Sequence, residues 1–367
     1  MNSEFPFALY YLGLFVATIF LSKFIFRNYI NFAKKYNLIK STNSSTAYKN
    51  IKLTGGGVVF AFVVMVSSLV LENVDFVEFS NFSPILATSI LIAVLGFFND
   101  LIKISLFSKS IILIFLILML LYSNSNLPLI RNLNGFLEIN NISFIRALIL
   151  TSFIYFVVMK AVNLTKDING YLEVFSVFFF ISFLYNFNIN EFYTLNSISV
   201  IIIGCSIVFL RYNFYSDKKL FGGDAGSLFI GFWIATYLIT YITTASSSRL
   251  VDVYSINLEN IPVIAISMIS IPILDTMRVM LIRIINKKSV FTYDRNHLHH
   301  ILLDLGMTNS RISLFLTAIN WFNCIIIFLM EQNFNSKELI LVYIFISLLW
   351  LIFFEYLKRR KLNSLKD

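Results

Sequence analysis

The chain has 367 residues, of which 58% are hydrophobic and 13% charged, and its mean hydropathy is +0.79. A soluble domain carries about 25% charged residues, so the composition excludes an ordinary soluble protein and predicts an integral membrane protein. The two cysteines, Cys205 and Cys324, lie in separate apolar runs, which predicts neither a disulfide nor a cysteine metal site.

Apolar runs long enough to cross a bilayer recur along the chain and predict about eleven helices in one membrane domain, residues 1–367. The first run is too long for the apolar segment of a cleavable signal peptide. The fold class is therefore predicted to be all-α and polytopic, with loops on the cytoplasmic side that carry the site. The predicted helices are Pro6–Phe26, Thr54–Leu71, Pro84–Phe98, Ser110–Tyr122, Ala147–Val162, Val174–Tyr185, Ser197–Leu210, Ala225–Thr244, Ile261–Ile282, Ile312–Met330 and Leu339–Leu357.

The distribution of basic residues predicts the orientation. With the N-terminus outside and the C-terminus in the cytoplasm, every Lys and Arg falls inside except Arg131, Arg146, Arg249 and Lys337. This alternation follows the positive-inside rule, so the net charge of +9 is interpreted as topology rather than nucleic-acid binding. In the outer loop, Asn134-Gly135 between β-prone stretches predicts a hairpin.

The unusual polar clusters all lie on the predicted inner side, which indicates one shared site. The first is Lys52 with the glycines that follow it, including Gly56 and Gly57, just before the second helix. Glycines allow a close approach to a ligand, and N–H groups at a helix N-terminus favour an anion. Close packing between membrane helices is the alternative interpretation.

The second cluster, Asn99, Asp100 and Lys103, ends the third helix. An acid beside an amide and a lysine is suited to a metal–phosphate complex, while charges solvated at a helix end are the alternative.

The third cluster contains Asn163, Asp167 and Asn169 between the fifth and sixth helices. These groups could hydrogen-bond a base or a sugar, or could form a plain polar turn.

The fourth cluster runs from Asn213 to Ser227, with Asp224 between glycines at the start of the eighth helix. A carboxylate next to a helix N-terminus suits Mg²⁺ that bridges to phosphate, and a role for Asp224 as the helix N-cap is the alternative.

The fifth cluster holds all the histidines of the chain, His297, His299 and His300, beside Arg295. Three histidines so close in sequence cannot easily share one face, so a metal site is the weaker interpretation. A cationic pocket for a pyrophosphate is the better one, with a histidine that changes charge near neutral pH.

Together these segments resemble the polyprenyl-phosphate N-acetylhexosamine-1-phosphate transferases, glycosyltransferase family 4. This superfamily includes the MraY-type translocases and the WecA- and TagO-type initiating enzymes. The most specific motifs are Gly-Asp-Ala-Gly-Ser, which ends at Ser227, and the stretch from Pro272 and Asp275 through Arg283 to His-Leu-His-His. The Asp-Arg-Asn-His-Leu-His-His form is closer to the WecA and TagO branch.

The resemblance implies transfer of a HexNAc-1-phosphate from a UDP-sugar to undecaprenyl or another polyprenyl phosphate, with release of UMP and Mg²⁺ or Mn²⁺ as cofactor. It implies an enzyme of the bacterial inner membrane that initiates cell-surface glycan synthesis, such as cell wall or O-antigen, and is often a homodimer. By the same resemblance Asp224 and Asp100 are metal ligands, Asn99 takes the place of a catalytic acid, and Asn163 and the histidine loop bind nucleotide and pyrophosphate.

The sequence departs from the family at several of these positions. The family has two adjacent acids where this chain has Asn99 and Asp100, and Asp where it has Lys166 and Asn169; Gly is usual at Asp167. A slip of one residue would let Asp167 replace the acid that is lost at Lys166. Loss of the acid at position 99 does not abolish the chemistry in principle, because a phosphate monoester with a second pKa of about 6 is largely deprotonated at neutral pH.

Two other classes compete with an active transferase. A degenerate relative would bind nucleotide sugar or polyprenyl phosphate without turnover, as Asn99 and Lys166 suggest. A transporter or channel would be expected to place ionisable residues within the bilayer, whereas here the polar groups gather at one face.

Overall fold

A computed structural model of the protein describes residues 4–40, 52–72, 79–123, 129–186, 192–214, 220–244, 256–287 and 296–364. These ranges are almost entirely helical, with two-residue strands β1 (Ile39–Lys40) and β2 (Lys52–Leu53) paired antiparallel. The α-helices of the described ranges are α1 Glu4–Lys35, α2 Val58–Leu71, α3 Phe79–Ile102, α4 Leu106–Ser123, α5 Phe144–Leu164, α6 Tyr171–Asn186, α7 Tyr193–Phe214, α8 Gly223–Thr243, α9 Ile261–Ser267, α10 Ser270–Ile285, α11 Leu298–Asp304, α12 Asn309–Met330 and α13 Ser336–Ser364.

Length and composition make the chain a polytopic membrane protein. Among the described residues 8 helices are long and apolar enough to cross a bilayer, and the bent pair α9–α10 raises the number to 9. Two further apolar helices, α2 and α6, are shorter than the roughly 20 residues that a full span needs. The all-α polytopic fold is thus confirmed, while the count of eleven spans stays a prediction.

The ninth predicted helix is not continuous. It breaks between Ser267 and Ser270, and the axes of α9 and α10 differ by 67°. Asn320 of α12 satisfies the backbone at the break: its Oδ1 accepts the N–H of Ile271 at 3.1 Å, and its Nδ2 donates to the Met268 carbonyl at 2.7 Å. A buried amide thus replaces the helical hydrogen bonds that the break removes, as broken membrane helices require. The prediction of one continuous helix was wrong, because the sequence at the break carries no helix-breaking residue: it contains no Gly, and Pro262 and Pro272 lie to either side of it.

The predicted hairpin at Asn134–Gly135 is also wrong. Residues 129–143 contain no strand; a 3₁₀ turn, Phe136–Glu138, follows Gly135, whose φ is +88°. One backbone bond, from the Ile142 N–H to the Arg131 carbonyl at 2.8 Å, joins the two sides of the loop.

Helix α8 is the centre of the bundle. Every residue from Gly223 to Ile242 is buried, and α8 packs against both α3 and α5. Small residues allow this approach: a Cβ on Gly96 of α3 would lie 2.6 Å from the Ala225 backbone, and one on Gly231 would lie 3.1 Å from Met159 Cα. The N-terminus of α8 is therefore enclosed by the ends of α3 and α5, where the polar clusters lie.

Candidate functional site: a carboxylate held by two lysines

The centre of the site is the carboxylate of Asp224, in the first turn of α8 and only 1% exposed. Its Oδ2 accepts from Asn99 Nδ2 and from Lys109 Nζ, each at 2.5 Å. Its Oδ1 accepts from Asn163 Nδ2 at 3.3 Å and from the ammonium group of Lys166. A carboxylate has about four lone-pair sites, so these donors, from α3, α4, α5 and the turn after α5, use its full capacity.

Asp100 has a different role from its neighbour Asn99. Its Oδ1 accepts the N–H of Asp224 at 2.9 Å, and its Oδ2 accepts the N–H of Ala225 at 3.3 Å. Asp100 therefore caps the N-terminus of α8 from another helix, where a negative charge is favoured. The alternative in which Asp224 caps its own helix is wrong, because the N-cap of α8 is Gly222 and the Asp224 carboxylate accepts from side chains of other helices.

Gly223 makes this cap possible. Its φ is +66°, and a Cβ built on it would lie 2.0 Å from Asp100 Oδ2. A side chain at this position would push the Asp100 carboxylate away from the backbone N–H groups, so the glycine before Asp224 is a requirement of the site geometry.

Sequence reasoning missed the two lysines that contact Asp224. The predicted fourth helix begins at Ser110 and leaves Lys109 outside it, as an inside charge. In the structure α4 begins at Leu106 and carries Lys109 as a buried residue, 2% exposed. The sequence presents Lys166 as an inside charge and, by the resemblance, as the loss of an acid, neither of which indicates a contact with Asp224. Lys160 on α5 interacts electrostatically with Asp224, Lys109 and Lys166, which makes the region around Asp224 rich in cations.

The loop after α5 holds its predicted residues in different environments. Asn163 is buried and also donates to Ser227 Oγ at 2.7 Å, while the Asn169 carbonyl accepts from Ser313 Oγ at 3.1 Å. Asp167 is exposed to solvent and Lys166 is the residue that reaches Asp224. The hypothesis that Asp167 replaces the lost acid is therefore wrong in this geometry.

The glycine cluster before α2 packs against the Asp224 loop. The N–H groups of Gly56 and Gly57 donate to the carbonyls of Phe221 and Gly222, both at 3.1 Å. A Cβ on Gly57 would lie 1.9 Å from the backbone N of Gly226. The interpretation of these two glycines as anion donors is wrong, because their N–H groups are used by the backbone; the packing alternative is correct.

The remaining predicted residues lie at the edge of this cluster. Asn213 is buried and its Nδ2 donates to the Leu220 carbonyl at 3.0 Å, so it supports the loop that precedes Asp224. Lys103 is exposed at the C-terminal end of α3. The backbone of Lys52 pairs with Lys40. Arg295 lies outside the described residues.

The histidine loop is anchored by Asp275 of α10, a residue that the sequence motif contained but to which no role was assigned. Asp275 Oδ2 lies 2.9 Å from His297 Nδ1, and its Oδ1 accepts the N–H of Leu298 at 2.9 Å. Asp275 therefore orients His297 and fixes the start of α11.

His299 does not fit a cationic pocket. It is 3% exposed, and burial, with His300 beside it, lowers its pKa to about 3. The expectation of a histidine that changes charge near neutral pH is wrong for His299, because its ring is desolvated. His299 interacts electrostatically with Asp167, as Lys166 does, so the histidine loop lies next to the Asp224 cluster.

An apolar groove lies near the histidine loop, to which Arg278 of its lining connects it. Its volume is about 620 Å³, and α5, α10 and α13 line it with side chains that include Phe153, Met277, Leu281 and Leu348. Arg278 is the charged residue in its lining, donates to the Asn296 carbonyl and lies 3.4 Å from Asp275 Oδ1. Its Nε and Nη1 are buried and have no hydrogen-bond partner within the described structure.

The donors around Asp224 do not fit a divalent metal. Proteins bind Mg²⁺ through one or two carboxylates with water and phosphate oxygens. Both oxygens of Asp224 are taken by N–H donors, and both oxygens of Asp100 accept backbone N–H groups. Nowhere in the described ranges do three His, Cys, Asp or Glu side chains gather as metal ligands.

Fold and site together define a polytopic membrane protein with a buried, lysine-rich polar centre at one end of its helices. Residues 82–242, which include Asp100, Asn163 and Asp224, match the sequence family described as glycosyl transferase family 4. The match covers less than half of the chain, and over these residues it agrees with the resemblance seen in the sequence motifs.

Curated relatives match about a third of the chain. The chain is 34% identical over 113 residues to a protein of Bacillus subtilis named probable undecaprenyl-phosphate N-acetylglucosaminyl 1-phosphate transferase. It is 33% identical over 125 residues to a decaprenyl-phosphate N-acetylglucosaminephosphotransferase of Mycobacterium leprae. The alignments cover 31% and 34% of this chain, and only 28% and 31% of those relatives.

Proposed function

We propose that this protein transfers an N-acetylhexosamine 1-phosphate from a UDP-sugar to a polyprenyl phosphate, giving a polyprenyl-diphosphate sugar and UMP. The observation that carries the proposal is the lysine cluster around Asp224, which lies within the region shared with glycosyl transferase family 4. The names of two relatives support the same substrates, since they specify undecaprenyl or decaprenyl phosphate and N-acetylglucosamine phosphate.

The reaction is a phosphoryl transfer. An oxygen of the lipid phosphate forms a bond to the β-phosphorus of the UDP-sugar, the bond from that phosphorus to the bridging oxygen breaks, and UMP leaves with the electron pair. Such a transfer depends mostly on positioning and on neutralising the charge of the phosphates. It suits a site that is rich in fixed cations.

The side chains of the site supply that neutralisation. Lys109 and Lys166 are held in place by Asp224, and Lys160 lies within electrostatic range of both. The amide of Asn163 keeps its orientation by donating to Ser227. Preorganised donors of this kind stabilise developing charge without the cost of reorganising during the reaction.

The apolar groove suits the other substrate. A polyprenyl chain is a hydrocarbon, and apolar side chains that include Phe153, Met277 and Leu281 line the groove. Arg278 offers Nε and Nη1 at the lining of the groove, where a lipid phosphate would find donors that have no partner in the protein. Since Arg278 also lies beside Asp275 and the histidine loop, the lipid phosphate would approach the polar centre from this side.

A second candidate is a relative that binds the same ligands without turnover. Asn99 stands where the family has an acid, and it donates to Asp224. Lys166 neutralises the Asp224 carboxylate, so two acidic groups that the family would use in turnover are absent or paired. Binding of a UDP-sugar with no release of UMP would distinguish this candidate from the transferase.

The cellular setting follows from the same proposal. The protein would act in the bacterial cytoplasmic membrane, with the site on the inner face and the N-terminus outside, and would begin a cell-surface glycan. A homodimer is a further prediction from the family.

The test is a UMP-release assay on purified protein with polyprenyl phosphate and a panel of UDP-GlcNAc, UDP-GalNAc and deoxy-HexNAc donors. With at least one donor, we expect release of UMP and formation of a polyprenyl-diphosphate sugar, which mass spectrometry identifies. The two products should form in equal amounts. The absence of product with every donor would reject the transferase. Omission of the lipid provides the control for plain hydrolysis.

A further inference from the structure

Lys166, in the turn after α5, stands where the resemblance to the family implies a carboxylate. Lys166 is 21% exposed at its side chain, yet its ammonium group contacts an Asp224 carboxylate that is 1% exposed. Lys109, from a different helix, contacts the other oxygen of the same carboxylate. Two cations therefore hold one carboxylate from both sides.

The charge of this arrangement equals that of a bound divalent cation. Two ammonium groups bring the same formal charge as Mg²⁺, and they lie on the carboxylate that would ligate the metal. A metal ion at Asp224 would have to displace Lys109, Lys166 or an amide, since Asn99 and Asn163 occupy the remaining acceptor positions. It would also face strong repulsion from the two ammonium groups.

We propose that Lys166 and Lys109 are the built-in cations of this site and take the place of a divalent metal. The anionic diphosphate of the nucleotide sugar would bind to their ammonium groups, and Asp224 would be a positioning residue that keeps the two lysines together. The identity of the diphosphate rests on the proposed function; the replacement of the metal rests on the contacts of Asp224 alone.

A direct measurement is the binding of Mn²⁺ to the ligand-free protein, followed by the electron paramagnetic resonance signal of the free ion. We expect the wild-type protein to leave this signal unchanged. Lys166→Asp should gain a Mn²⁺ site, because it adds a carboxylate next to Asp224, and the added Asp224→Asn change should remove that site. Lys34→Asp is the matched control, since Lys34 is an exposed lysine at the end of α1, and it should gain no site.

The second measurement needs no variant. We expect the Kd of wild-type protein for a UDP-HexNAc in EDTA to stay within about twofold of its value in Mg²⁺. A Mn²⁺ site in the wild-type protein that Asp224→Asn abolishes would overturn the inference, and so would binding that is weaker in EDTA by about tenfold or more. If no UDP-sugar bound under either condition, the proposed function would fail, and the Mn²⁺ titration would still decide between lysine and metal.

Discussion

The ammonium group of Lys166 donates to Oδ1 of Asp224, across the gap between the turn after α5 and the first turn of α8. The contact places a lysine side chain of the protein, rather than a bound ion, at the most buried carboxylate of the site. The contact also compensates the burial of the Asp224 carboxylate, because a buried charge without a partner is strongly destabilising.

The amide of Asn99 is one of the four donors to Asp224, so Asn99→Asp should destabilise the protein. The change would place a second carboxylate where a donor now lies 2.5 Å from Asp224 Oδ2. We expect a loss of about 1–3 kcal/mol in the free energy of unfolding, measured by thermal unfolding in detergent. Asn99→Ala removes the donor without adding charge and should lose less. An Asn99→Asp protein as stable as the wild type would contradict the account.

Gly57 should tolerate no side chain. Its Cβ would lie 1.9 Å from the Gly226 backbone N and 2.5 Å from the Gly222 carbonyl oxygen, and neither backbone atom can move without shifting the start of α8. Gly57→Ala should therefore lower the yield of folded protein and cost at least about 1–3 kcal/mol. Gly13→Ala is the control, because no heavy atom lies within 4 Å of its Cβ position. Equal melting temperatures for the two variants would refute the packing role.

Arg278 should affect the lipid substrate and leave the nucleotide sugar unaffected. If its Nε and Nη1 bind the lipid phosphate, Arg278→Ala should raise the KM for polyprenyl phosphate by about tenfold or more, the effect of a lost charged hydrogen bond. The KM for the UDP-sugar should not change. The control is Arg359→Ala, since Arg359 is an exposed residue paired with Glu355. Equal increases in both KM values would indicate a general loss of structure and contradict a lipid-specific role.

His299 should make the protein less stable in acid. Burial lowers its pKa to about 3, whereas an unfolded histidine has a pKa of about 6.5. Between these two values the unfolded state binds more protons than the folded state, so stability falls as the pH decreases from the higher value toward the lower one. The melting temperature of the wild type should drop over this window, and that of His299→Gln should drop less. Identical pH profiles would show that His299 titrates normally.

Much of the fold followed from composition, since each predicted helix overlaps a helix of the structure. The break between α9 and α10 could not be predicted, because the groups that stabilise it belong to Asn320, far away in sequence. The hairpin failed for a local reason: Leu137 and Glu138 adopt positive φ values of 52° and 68° after Gly135, which turns the chain out of an extended path.

The sequence predicted the acidic and amide residues of the site better than its lysines. Asp224, Asp100 and Asn163 come together as expected, because each lies at the end of a helix on the same predicted side. Lys109 could have been noticed as a lysine within an apolar helix, where burial of an unpaired charge is costly. The contact of Lys166 with Asp224 joins residues 58 positions apart, and no local pattern indicates it.

The most direct test of the transferase proposal is the rate of UMP release by Asp224→Asn. Loss of this carboxylate frees Lys109 and Lys166 from their common partner, so we predict a decrease of about 100-fold or more, the range for removal of a preorganised electrostatic group. Glu138→Gln is the matched control on an exposed carboxylate paired with Lys337 and should keep the wild-type rate. A folded Asp224→Asn protein that releases UMP at the wild-type rate would contradict the proposed site.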